Sequence, residues 1–324
     1  MTRNDPNTLP DDTTPVEPDP ALETERQPEP PPARQSASPA GEPAQQRPPL
    51  TRKLPKNLLR PAPPEEPTAK DQAALRLLTL NLAHGRRKGP HQLLQRKHRL
   101  RRNLDEVGTL LRSAHPDVVA LQEADAPSAW SGNFCHVSHL SDLSGLDHVV
   151  HGPHTSFGFG RLQLECGTAL LSRHALGDGK SVAFGQNWRD NKGFVVGSVE
   201  VPQWNHRKIL VASVHLDFLI PRVRRRQVQR IIESLADRDL PLVLSGDLNC
   251  SPLEDPKTLT MLMHELDLHS CDPHLHRPTY PSYRPLRRLD WILASPELRF
   301  LGDSTPLAQQ VSDHLAVVAD LAEA

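Results

Sequence analysis

Six apolar runs in this chain end in, or are interrupted by, side chains foreign to a core. They carry Asn81, Glu123, His215, Asp247 with Asn249, Asp290, and Asp313 with His314. Aspartate and asparagine are poor strand residues. An ionised carboxylate beside apolar packing is costly unless something pairs with it. In a layered sheet protein the strand ends gather at one edge, and a site forms there. Carboxylates collected in such a place repel one another, and a hard divalent cation resolves the repulsion. Many oxygen donors and few histidine ligands select magnesium or manganese over zinc.

The elements that must deliver these side chains are legible in part. A strand opens at 75-LRLLTLNLAHG-85. A long helix is expected from Gln92 to Ser113, with Leu93, Leu100, Leu104, Val107 and Leu111 as its apolar stripe. After a turn at Pro116, 117-DVVALQEAD-125 reads as a strand. Residues 126–165 are rich in Gly, Ser and His and read as long loops. Strands follow at 168-TALLSR-173, 194-FVVGSVEV-201 and 208-KILVASVHLDF-218. A second helix is expected from Arg222 to Ala236, then the strand 241-PLVLSGDLN-249 and a helix near 254–266. The strands 289-LDWILAS-295 and 315-LAVVADL-321 close the chain. If strand geometry runs on through Leu248, Asp247 and Asn249 share a face. Strands outnumber helices, which suits an α/β protein of sheets covered by helices.

Composition divides the chain of 324 residues. Residues 1–70 hold 18 of the 33 prolines and no aromatic residue or histidine, so they cannot bury enough surface to offset chain entropy and are expected to be disordered. Runs such as 28-PEPPPARQ-35 suit a docking peptide for a protein partner, or, as the better reading, a flexible leader. Residues 71–324 can bury a large core. That body carries 29 basic and 28 acidic residues, so it is no generally basic nucleic-acid binder. Four cysteines without metal spacing, no apolar signal segment and no run long enough to cross a bilayer point to a reducing compartment, the cytoplasm.

The motifs 79-TLNLAHG-85, 121-LQEAD-125, 213-SVHLDF-218, 245-SGDLN-249, 289-LDWIL-293 and 312-SDH-314, in this order, resemble the endonuclease/exonuclease/phosphatase superfamily. They span essentially the whole body. The resemblance implies a four-layer α/β/β/α sandwich of two packed mixed sheets, as in deoxyribonuclease I, with the site at one edge between the sheets. It implies a Mg²⁺-dependent phosphoesterase, most simply a nuclease-like phosphodiesterase, with Mn²⁺ as a substitute. Sphingomyelinase-like and inositol-phosphate phosphatase activities are the alternatives within the family. A noncatalytic scaffold with a partner-binding tail is the rival outside it.

The same resemblance assigns roles. Glu123 would be the principal metal ligand, with Asn81 beside it and Asp313 near the metal. Asp247 would orient or deprotonate the attacking water, and Asn249 would bind a phosphate oxygen. His314, held by Asp290, would face the phosphate, and His215 would contact it from the other side. Whether Asp247 or His314 takes the water proton stays open. Ala83 stands where many repair nucleases have an Asp, which argues against the abasic-site branch. Lys192 in 191-NKGFVVGSV-199 and Tyr280, Tyr283 and Arg284 in 279-TYPSYRP-285 are candidate substrate contacts or plain loop residues. The run 222-RVRRR-226, like Arg86, Arg87 and Lys88, reads best as a solvated basic face.

Overall fold

Alternate residues of the first strand, β1 (Leu75–Asn81), serve two different cores. Leu75 and Leu77 join one apolar cluster, Leu78 and Leu80 another. Period-two alternation in a strand produces this division, because successive side chains leave opposite faces. The computed structural model describes residues 74–89, 94–127, 132–157, 164–185, 192–271 and 277–324. The expectations for the proline-rich segment 1–70 lie outside the described residues.

Two mixed sheets carry the fold. The first has the order β10-β12-β1-β2-β4-β3, with β11 paired to β12. Its strands are β1, β2 (Val118–Asp125), β3 (His148–Phe157), β4 (Leu164–Ser172), β10 (Leu298–Phe300), β11 (Thr305–Pro306) and β12 (Val317–Glu323). The second has the order β5-β6-β7-β8-β9, from β5 (Leu176–Ala183), β6 (Gly193–Val201), β7 (Arg207–His215), β8 (Leu242–Asp247) and β9 (Asp290–Ala294). Parallel pairs join β1 to β2 and β7 to β8. The other pairings within each sheet are antiparallel.

Three apolar clusters separate four layers. One packs both sheets together, with Leu77, Val118, Ala120, Val211, Val243 and Ile292 fully or almost fully buried. A second lies under α1 (Lys97–Ala114) and α2 (His136–Ser144). The third lies under α3 (Pro221–Leu235) and α4 (Pro256–Glu265). This is the expected α/β/β/α sandwich. No helix among the described residues is long and apolar enough to cross a membrane.

Residues 126–165 are not simply loops, for they contain α2 and β3. Nine residues with three serines and two histidines make a helix too weakly patterned to announce itself. β3 is an edge strand and holds its place through pairing with β4. β5, also unforeseen, is an edge strand whose residues are almost all exposed, so it has no apolar alternation to read. The first helix begins at Lys97, later than expected, because Arg96 is extended as its N-cap; Gln92 and Leu93 lie outside the described residues.

Candidate active site

The inter-sheet rows change character along the strands. On β1 the row runs Leu75, Leu77, Thr79, Asn81; on β2, Val118, Ala120, Gln122; on β7, Ile209, Val211, Ser213, His215; on β8, Val243, Ser245, Asp247. Each is apolar at one end and polar at the other. Gln122 and Ser213 close the transition. The Gln122 amide donates to Ser213 Oγ at 3.0 Å and to Thr79 Oγ1 at 3.2 Å, and Ser213 Oγ donates to Leu121 O. Beyond them the polar ends open into a cavity of about 610 Å³.

Register places the titratable side chains side by side. His215 pairs with Asp247 across β7 and β8, and Asp247 with Asp290 across β8 and β9. Glu123 reaches the cavity by a different device. A bulge between Gln122 and Ala124 shifts the register against β4, and Glu123 adopts φ +50°. A bulge of this kind re-aims one side chain without ending the strand. Gly246 makes room for the approach of β8 to β7. Its φ is +145°, and a Cβ there would lie 2.0 Å from Val214 O, so no other residue fits without moving a strand.

β8 ends at Asp247, so Asn249 does not share its face by strand alternation. Instead Asn249 turns to φ +47°, and its N–H donates to Asp247 Oδ1 at 3.0 Å. This aspartate-centred turn, rather than a continued strand, brings both residues to the cavity. The Asn249 amide donates to Leu216 O. Asn81 Nδ2 donates to Asp247 Oδ2 at 2.9 Å, and Asn81 Oδ1 accepts from Ala83 N–H. His314 Nδ1 lies 2.8 Å from Asp290 Oδ2, which also receives the Thr279 hydroxyl at 2.5 Å. His314 Nε2 and His215 Nε2 stand 3.8 and 3.6 Å from Asp247 Oδ2.

A family model described as the endonuclease/exonuclease/phosphatase family matches residues 78–314. The chain belongs to this family. No curated protein matches it by sequence. Solved structures share its fold at low identity. An endonuclease/exonuclease/phosphatase from Beutenbergia cavernae is 21% identical with a TM-score of 0.61, over 78% of this chain and 72% of that one. Sphingomyelinase C from Streptomyces griseocarneus is 19% identical with a TM-score of 0.55, over 76% and 99%. The human Nocturnin catalytic domain, solved with bound sulfate, is 18% identical with a TM-score of 0.56, over 78% and 95%.

Of the residues expected at the site, Asn81, Glu123, His215, Asp247, Asn249, Asp313 and His314 all line the one cavity. Asp290 stands behind His314 and is fully buried. It does not pair with a neighbouring arginine: Arg287 reaches Glu254, and Arg288 stacks on Trp291 at 4.1 Å. Lys192, one of the softer candidates, also lines the cavity, with Nζ 3.0 Å from His215 Nε2 and 3.6 Å from Glu123 Oε1. Tyr280 packs beside His314, ring centroids 4.8 Å apart, while Tyr283 is exposed. Arg86 is no solvated bystander, since it donates to Asp313 Oδ2 at 2.6 Å. Arg224 of the basic run is buried and bonded to Asp255.

One residue escaped the sequence reading. His84 lies between two acids, with Nδ1 2.9 Å from Asp125 Oδ1 and Nε2 3.3 Å from Glu123 Oε2. Ala83, His84 and Gly85 all have positive φ. The small-histidine-glycine tripeptide after Asn81 was the available signal, because such a turn favours a glycine at its end.

The electrostatics follow from this packing. Burial opposes ionisation of Glu123, but the positive field of His84, Lys192 and His314 outweighs it and holds the carboxyl below the usual range. Burial raises Asp247, and Asp290 adds to the rise against the pull of His314. Burial opposes charging of His314, yet Asp290 and Asp247 raise its pKa well above that of an ordinary histidine. Burial, then Lys192, drives His215 strongly down. The site therefore pairs a cationic His314 with a neutral His215 across Asp247.

The donor set suits a hard divalent cation. Glu123 lines the cavity, with its carboxylate held below the usual range and His84, Lys192 and His215 at 3.3, 3.6 and 3.9 Å. Asn81 Oδ1 has a second lone pair beyond its bond from Ala83. Among the described residues, Asp247, Asp290 and His314 bring donor atoms within 4.8 Å of one another, as do His84, Asp125 and Cys166. Asp290 Oδ1 is buried and accepts no hydrogen bond from the described residues.

Proposed function

We propose that the chain is a Mg²⁺-dependent phosphodiesterase, with Mn²⁺ able to substitute. The observation that carries this reading is the convergence of Glu123, Asp247, Asn249, His215 and His314 on one cavity, with Asp290 fixing His314 from behind. Glu123, with Asn81 and Asp313, would hold the cation. When bound, the cation supplies Lewis-acid stabilisation of the charge that grows on the phosphate oxygens.

The protein groups do the rest. Asp247 accepts a proton from the attacking water, and its raised pKa makes it a better base than an ordinary aspartate. In this reading His314, whose pKa Asp290 and Asp247 raise, serves as a cationic donor to the phosphate rather than as that base. Asp290 keeps its Nδ1 proton in place. Asn249, His215 and Lys192 meet the phosphoryl oxygens from the other strands, as fixed donors that cost no reorganisation during the reaction. Water oxygen bonds to phosphorus, the ester P–O bond breaks in line with it, and the departing oxygen leaves with the bond pair and takes up a proton.

Hydrolysis of bis(p-nitrophenyl) phosphate tests this reading. Wild-type protein should turn it over with Mg²⁺ and stop with EDTA, and Glu123→Ala should lose about 10³-fold of this turnover with the fold intact. Rates independent of both metal and Glu123 would overturn the metal-dependent mechanism, and no turnover above background with Mg²⁺ would return the chain to the binding-scaffold reading.

A further inference from the structure

Eight large hydrophobic side chains are exposed among the described residues, and six of them lie on three loops around the cavity. Phe218, Leu219 and Ile220 follow β7. Leu253 follows β8 and is 90% exposed. Tyr283 and Leu286 lie in the segment before β9. Soluble surfaces scatter such residues singly, and clustering marks an interaction site.

The three loops form one rim. Phe218, Tyr280 and Arg287 line the same cavity. Arg224 Nε bonds Asp255 Oδ2 at 2.9 Å, tying the start of α3 to the loop after β8. Arg287 Nε bonds Glu254 Oε2 at 2.7 Å, tying that loop to the segment before β9. Basic residues flank the apolar ones: Arg222 and Arg226 beyond Ile220, Lys257 beyond Leu253, and Arg284 between Tyr283 and Leu286. The two acids that follow Leu253, Glu254 and Asp255, are paired with Arg287 and Arg224.

We infer that this rim seats the enzyme on the surface of a lipid bilayer containing anionic lipid, and that the phosphodiester it cleaves belongs to a lipid headgroup. The inference rests on the phosphodiesterase reading and names its substrate class. Apolar side chains flanked by arginines and lysines are the makeup of an interfacial surface, where the apolar groups enter the headgroup boundary and the cations meet anionic lipid. A further basic cleft, lined by Arg87, Arg96, Arg99 and Arg102, lies along α1. Any polyanion would favour it, so it does not decide between nucleic acid and membrane. Phe218 and Tyr283 offer ring faces that suit a base or an interface alike. The other four favour the membrane: Leu219, Ile220, Leu253 and Leu286 have no ring face on which a base could stack, whereas acyl chains need none.

The test compares the full-length wild type with the triple variant Leu219→Ser, Leu253→Ser and Leu286→Ser, none of which lines the cavity. Vesicles are phosphatidylcholine with about a third phosphatidylserine. Wild type should sediment with the vesicles and release phosphorylated headgroup from phospholipid or sphingomyelin presented in them. The variant should lose about tenfold or more of both, while its rate on bis(p-nitrophenyl) phosphate holds. Failure of wild type to bind vesicles, or undiminished binding by the variant, overturns the inference. So does docking without hydrolysis of any lipid phosphoester. Preferred cleavage of single-stranded DNA or RNA that falls with the rim residues would replace the membrane with nucleic acid. Inactivity on the soluble diester alone sinks the phosphodiesterase reading, because vesicle binding is scored without chemistry. If the triple variant unfolds, Leu253→Ser alone, at a position 90% exposed, carries the same comparison.

Discussion

The two ends of the layer between the sheets are built from the same strands and solve opposite problems. At one end, Leu77, Val118, Val211, Val243 and Ile292 fill the space with hydrocarbon. At the other, two or four residues further along, Asn81, His215, Asp247 and Asp290 are just as hidden, at 5% exposure or less. The apolar end gains stability from each buried methylene. The polar end buries charge that must be compensated residue by residue, by Asn81 on Asp247, Asp290 on His314 and His84 on Glu123. Stability and chemistry are thus assigned to opposite ends of continuous strands, and substitutions at the two ends should fail in different ways.

The largest effect belongs to Glu123. Glu123→Ala should lower Mg²⁺-dependent turnover by about 10³-fold, roughly 4 kcal/mol of transition-state stabilisation, and weaken magnesium binding measured by calorimetry. Its circular dichroism should not change. At the apolar end Ile292→Ala should do the reverse. It should cost about 2–5 kcal/mol of stability in urea unfolding, with turnover per folded molecule retained. Lys192→Ala should fall between these, with about a 10²-fold loss of turnover and little effect on the unfolding midpoint.

The smallest effect is a pH dependence. His154 is buried, its Nε2 2.8 Å from Thr168 Oγ1. Burial first, then the charges of His151 and Lys192, push its pKa down to about 3. The unfolded chain takes up that proton near pH ~6.5, but the folded chain resists it to about 3. The stability this group contributes is therefore fully present above pH ~6.5 and is lost as pH falls toward the folded value. Urea midpoints for His154→Gln should decline less steeply with acid than those of wild type. Equal slopes would show that the buried imidazole plays no part.

Much of this division was readable from the chain. Leu242 to Leu244 announced a buried strand, and polar residues after it announced the end that opens into the cavity. The central strands were legible because they bury both faces along most of their length and so carry long apolar stretches. β3 and β5 were not, because an edge strand needs only one partner and leaves its outer residues free to be polar. At the site, motifs located Glu123, Asp247 and His314, but not the backbone that aims them. The bulge at Glu123 and the turn at Asn249 depend on pairing with β4 and on the Asp247 carboxylate, which are contacts made only in the folded chain. His84 was hidden for the same reason, since its two acidic partners lie about forty residues away.

Asp247→Asn asks the central question most directly. Burial raises the Asp247 pKa, so its ionised form is held at a cost to stability. Turnover of a soluble phosphodiester and the unfolding midpoint should be measured on the same preparation. The account predicts turnover lower by about 10²-fold or somewhat more, short of the Glu123 loss, and a midpoint that holds or rises. Undiminished turnover in a protein that unfolds more easily would contradict it, and would make the polar end of the layer a structural feature.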